Sequence, residues 1–192
     1  MWRYCLALPV FLLSVVGSAV AVSARPAAVF MPHLERIQSN LPVGLAMRLP
    51  AEIRLSDPFD IDESKLVVQV FPSDTPKSFT VSLFTCERSP QPCLLGSFSV
   101  ESKMAASAKQ ELQRHQALGD RITLATNVEG YLLEGPLQKP PYEFSTVMWQ
   151  QNDMIYTISF PAFERENILF MAISMARETP LYHVVSGQVL FP

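Results

Sequence analysis

The feature that most narrows the fold is a pair of alternating segments that meet at two cysteines. Phe79 to Cys86 and Cys93 to Val100 flank the loop Glu87 to Pro92. Placing Cys86 opposite Cys93 sets Val81 against Phe98 and Phe79 against Val100. Phe79, Val81, Leu83, Phe98 and Val100 then share one face, and Thr80, Ser82, Ser97 and Ser99 share the other. Strand side chains alternate with a period of two, so a slip of one residue would reverse this sorting. The register predicts an antiparallel hairpin closed by a Cys86–Cys93 disulfide, since directly opposed strand residues lie within bridging range. Closing that loop of about eight residues contributes about 2.5 kcal/mol in the chain-entropy model.

The same reasoning extends along the chain. Leu41 to Pro50 places apolar residues at Val43, Leu45, Met47 and Leu49 and predicts a strand bounded by prolines. Leu66 to Phe71 predicts a second strand. Ser102 is placed to cap a helix that runs to about Leu118 and stops at Gly119. Met104, Ala105, Ala108, Leu112 and His115 form its apolar stripe. Arg121 to Thr126 and Tyr131 to Glu134 predict a hairpin through Asn127 to Gly130.

A further hairpin turns at Asn152-Asp153, with Trp149 facing Tyr156 and Val147 facing Ile158. Phe160 joins that side, whereas Thr146, Gln150, Thr157 and Ser159 lie on the other. Glu164 to Arg177 is apolar enough for a helix buried around most of its circumference. Strands, helix, strands, helix predict an α+β fold, a mainly antiparallel β-sheet with two helices packed on one face. The expected organisation is a leader at 1–24, a Pro/Ala-rich spacer at 25–42 with a short helix around His33 to Gln38, one domain at 43–179, and a tail at 180–192 that can add an edge strand.

Arg3 is followed by an uncharged, largely apolar stretch from Tyr4 to Ala24 that ends in small residues. This matches a secretory signal peptide, or alternatively an uncleaved N-terminal anchor, the only membrane attachment expected. Both readings put the rest of the chain in the periplasm, another extracytoplasmic lumen or the extracellular medium, where a disulfide persists. The 192 residues carry a net charge of −3, and loss of Arg3 makes it more negative. No basic stripe is present to neutralise phosphates, which argues against a nucleic-acid partner.

The chain gives no motif for catalysis. His33, His115 and His183 have no neighbour at metal-ligand spacing. A Gly-x-Ser-x-Gly elbow, a phosphate-binding loop and a dinucleotide fingerprint are all missing from the sequence. Asp57, Asp60, Asp62 and Glu63 cluster, but without the glycine of a tight calcium loop they read as a solvated acidic loop. No catalytic, metal-binding or cofactor-binding residue is therefore assigned. Phe84, Leu95, Met148 and Ile155 point away from the predicted core and make a candidate interaction strip, covered by the chain itself or offered to a partner.

Gly130-Tyr131, Val147 to Trp149, Ile155 to Ile158, Glu166 to Leu169 and Ala172 to Met175 together resemble an exported bacterial domain family of unknown function. In that family a strand ending in Trp pairs with a strand carrying Tyr, and a helix ending Ala-x-Ser-(Leu/Met) follows. Leu41 to Leu45 and Leu49-Pro50 resemble the first strand of similar proteins, and the likeness is best from about Thr126 to Arg177. The resemblance implies an envelope-side accessory or sensing domain and carries over no catalytic residue. The expected function is thus an exported, non-enzymatic envelope domain that binds or senses a protein partner. The alternatives are a carrier of an apolar, lipid-like ligand in a curled sheet and, ranked last, a hydrolase whose residues meet only in space.

Overall fold

A computed structural model describes residues 25–56, 65–87 and 93–184. The predicted leader, the acidic loop from Asp57 to Glu63 and the tail beyond Val184 lie outside the described residues. The described chain begins with a 3₁₀ segment, Ala28–His33, and α1, Leu34–Asn40. After β1, Ala46–Met47, come β2, Val67–Asp74, β3, Lys77–Phe84, and β4, Leu94–Ser102. Helix α2, Ala106–Leu118, leads to β5, Asp120–Ala125, β6, Val128–Leu133, β7, Phe144–Gln151, and β8, Met154–Pro161. Helix α3, Arg165–Arg177, and β9, Leu181–Tyr182, complete it.

Seven strands form one antiparallel sheet in the order β2-β3-β4-β8-β7-β6-β5, and β1 pairs separately with β9. The α+β class and the mainly antiparallel sheet are as the sequence predicts. Val81 opposes Phe98, Phe79 opposes Val100, Trp149 opposes Tyr156 and Val147 opposes Ile158. Cys86 and Cys93 are bonded, with Cα atoms 5.9 Å apart. Asn152 takes a positive φ of 55° in the β7–β8 turn, a conformation that asparagine tolerates better than most residues.

The main core lies on one sheet face, under α3 at β5, β7 and β8 and under the N-terminal 3₁₀ segment, α1 and β1 at β2 and β4. Phe79, Val81, Phe98, Val100, Val147 and Ile158 of the sheet belong to one buried cluster with Ile168, Met171, Ala172 and Met175 of α3. The rings of Phe30, Phe98 and Phe160 pack edge to face, with centroids 5.7 and 5.4 Å apart along the row, while Trp149 stacks on Tyr156 at 5.4 Å. Gly96 makes this possible, because a Cβ there would sit 2.4 Å from the Phe160 ring.

Four expectations are corrected. The segment read as a spacer is part of the core, since Phe30, Ile37 and Leu41 are buried in it and Ala27 N–H donates to the Pro50 carbonyl. The strand expected over Leu41 to Pro50 shrinks to two residues, although Leu45, Met47 and Leu49 are buried; only Val43, 68% exposed, leaves the pattern. Ser102 does not cap α2: its hydroxyl accepts from Met104 N–H at 3.2 Å inside the preceding turn, and the helix starts at Ala106. Most consequential, the two long helices lie on opposite faces. Helix α3 covers the face of Val147 and Trp149, whereas Ala108 and Leu112 of α2 cover Met148 and Ile155 on the reverse.

Buried polar groups fasten the ends of the domain. The Glu164 carboxylate accepts from Ser56 N–H at 2.9 Å, from the Ser56 hydroxyl at 2.9 Å and from Asn167 Nδ2 at 2.7 Å. Tyr156 donates its hydroxyl to the Ala46 carbonyl at 2.7 Å, Arg48 donates to the Glu178 carbonyl, and His183 Nδ1 donates to the Leu41 carbonyl at 2.8 Å. Buried groups of this kind are costly unless paired, so these bonds hold the β1–β9 clasp in one position.

Candidate functional site

The placement of α2 on the reverse face creates the site. Four strands bring hydroxyls to that face in two rows. Ser82 opposes Ser97, Ser97 opposes Ser159 and Ser159 opposes Thr146. One pleat along, Thr80 opposes Ser99 and Ser99 opposes Thr157. Within these rows Thr80 and Ser99 share a hydrogen bond of 2.9 Å, and Thr146 and Ser159 one of 3.3 Å. The apolar stripe of α2 sits on Met148 and Ile155 beside the hydroxyls, and its polar flank overhangs them.

The result is a cleft of about 710 Å³. Its floor is Ser99, Glu101, Thr146, Met148, Thr157 and Ser159, and its wall is Ser107, Gln110, Glu111, Arg114 and His115 of α2. That volume is in the range of small-molecule sites. The turn before α2 is tied down by Lys103 N–H, which donates to the Asp153 carbonyl at 2.9 Å, and by a Lys103–Asp153 ion pair.

The charged groups of the cleft are unequally matched. Arg114 pairs with the Glu111 carboxylate at 3.1 Å and also donates to the Gln138 side-chain oxygen. The Glu101 side chain makes no hydrogen bond or ion pair among the described residues, and burial raises its carboxyl above the ordinary range. His115, 2% exposed, is held below the usual imidazole value, chiefly by burial, against the raising effect of its bond to Glu111. Its Nδ1 lies 3.0 Å from the Glu111 carbonyl oxygen. A carbonyl only accepts, so Nδ1 carries the proton and Nε2 is left as a lone-pair acceptor. Nε2 is buried with no partner among the described residues.

These groups can bind a polar ligand, but they do not assemble a nucleophile. His115 spends its proton on the helix backbone, and no hydroxyl reaches its other nitrogen. Among the described residues no group of three metal-ligating side chains converges, and no helix is long and apolar enough to cross a membrane. His33, His115 and His183 are placed apart, in the 3₁₀ segment, on α2 and after β9.

The four residues of the predicted strip do not share one exposed surface. Met148 and Ile155 are sealed under α2, and Leu95 belongs to the main core. Leu95 turns inward because the ladder shifts between Leu83–Gly96 and Phe84–Leu94, which leaves Leu95 itself as the extra residue with no partner on β3. Phe84 alone stays half-buried, at the end of β3 between Val67 and Leu94.

The cleft residues Glu101, Gln110, Glu111 and Arg114 escape sequence reasoning. The hydroxyl rows are visible as the polar side of both hairpins; the missing signal is which face α2 takes. A second cavity of about 420 Å³ lies on the far side of Arg114, between Leu118, Leu132, Leu137 and Lys139. Comparison with protein-family models, with curated proteins and with solved structures finds no match to this chain.

Proposed function

We propose that the chain is an exported, non-enzymatic binding domain of the cell envelope that takes a polar ligand, or a polar segment of a partner, in the cleft under α2. The observation that carries this reading is the cleft itself: Ser99 and Thr157 of one hydroxyl row, Thr146 and Ser159 of the other, the unpaired carboxylate of Glu101 and the buried His115 line one concavity. Polar groups are rarely left idle in a concave, partly dehydrated place unless something else pairs with them. Export is supported by the leader-like segment and by the disulfide, which survives in oxidising compartments. An apolar carrier draws less support, because the space over the core face of the sheet is filled by Phe30, Phe98, Phe160 and Trp149.

The test uses the full chain immobilised beside a double variant, Ser107→Leu with Thr157→Leu, which fills the cleft from wall and floor. Envelope extract is passed over both, and the retained small molecules and peptides are identified by mass. The wild type should retain a component that the variant loses while keeping its circular dichroism. Equal retention by the two would remove the cleft from the function.

A further inference from the structure

We propose that the cleft is selective for a ligand bearing an ammonium group next to hydroxyls, with Glu101 as its counter-charge. This rests on the cleft being the binding site and specifies what it takes. The cleft offers two carboxylates, Glu101 and Glu111, against one guanidinium, Arg114. Arg114 is already engaged, between Glu111 at 3.1 Å and Gln138. Glu101 is left without a cation among the described residues, half-buried on β4, where burial disfavours its ionised form.

The hydrogen-bonding groups lean the same way. Glu101 offers two acceptor oxygens to the cleft, whereas His115, although it lines the wall, is 2% exposed with Nε2 fully buried and is not counted among them. Ser99 and Thr157 hydroxyls can donate or accept as required. Acceptors are therefore in surplus, and the matching ligand brings donors. An ammonium group brings three donors and the positive charge that Glu101 lacks, a neutral sugar brings hydroxyls that donate and accept but no charge, and an anion meets uncompensated carboxylate. The volume of about 710 Å³ admits a ring with one amino substituent.

Three hexose probes of like size and different charge separate these cases: glucosamine in its protonated form, glucose and glucuronate. Binding is followed by backbone-amide shifts of β4, β8 and α2 during titration of the full chain. Glucosamine should bind about tenfold or more tightly than glucose, with glucuronate weakest. Glu101→Gln, which keeps shape and removes charge, should bring glucosamine and glucose to equal affinity. Glu101→Lys should favour glucuronate. Equal binding of all three probes in the cleft overturns the charge selectivity and leaves the binding site standing. Failure of glucosamine to shift any cleft residue overturns the inference, and the envelope-extract comparison then decides the cleft independently.

Discussion

His115 concentrates the conflict between folding and binding. The helical spacing of Ala108, Leu112 and His115 predicts that all three face inward, and all three are buried. Met104, on the same stripe in the sequence, is 73% exposed because it lies in the turn before the first helical residue. Spacing thus gives the direction of each side chain but not the helix start. It also cannot say that His115 enters a site rather than plain core, since its neighbours there come from other strands. Burial depresses the His115 pKa in the fold, so the unfolded chain binds the proton more readily. Its contribution to stability is complete above the ordinary histidine value of about 6.5 and is lost as pH falls through that value toward the folded pKa. Glu101 and Glu178 act in the opposite sense: burial raises both, so their contribution is present in acid and lost as pH rises. His33, also depressed by burial, adds to the His115 trend. Comparing His115→Gln with wild type cancels these other groups. The variant should lose less stability than wild type between pH 7 and pH 5, measured by urea unfolding; parallel pH profiles would remove the burial account.

Elements were legible where two strands sort their side chains together, and illegible where an extra residue or a choice of face intervenes. The β3–β4 and β7–β8 registers follow from alternation because each has one apolar face. The shift after Leu83 leaves no mark in the sequence, as Leu94 and Leu95 are chemically alike and either fits inward. The side taken by α2 is hidden for a related reason. β7 and β8 are apolar on both faces at Met148 and Ile155, so the sheet accepts a helix on either side. The disulfide is the element-scale device that pins the hairpin end beside the shift. Replacing Cys86 and Cys93 together by Ser frees a loop of about eight residues in the unfolded chain and should cost about 2.5 kcal/mol. The check is a urea titration of the oxidised wild type against the double variant. An unchanged midpoint would mean that the bridge contributes nothing to the stability of the domain.

At the scale of the whole molecule, the segment between the leader and the first strand decides how the domain closes. Its proline and alanine content predicts a spacer, yet composition averages over the three residues that matter. Phe30, Ile37 and Leu41 recur at intervals of seven and four, and all are buried among side chains from the sheet. The segment is also bonded at both ends, through Ala27 to Pro50 and through Leu41 to His183, so it links the start of the domain to the β1–β9 clasp. Removing a phenyl ring from a site with Phe98 at 5.7 Å leaves a cavity that the flanking rings cannot collapse into without losing their own contacts. Phe30→Ala should therefore cost about 3–5 kcal/mol, the usual loss for a buried aromatic. Because the segment and sheet share one core, fluorescence of the buried Trp149 and far-ultraviolet circular dichroism should report the same lowered midpoint. A spacer outside the cooperative unit would leave both midpoints where they are in wild type, and that outcome would detach residues 25–42 from the fold.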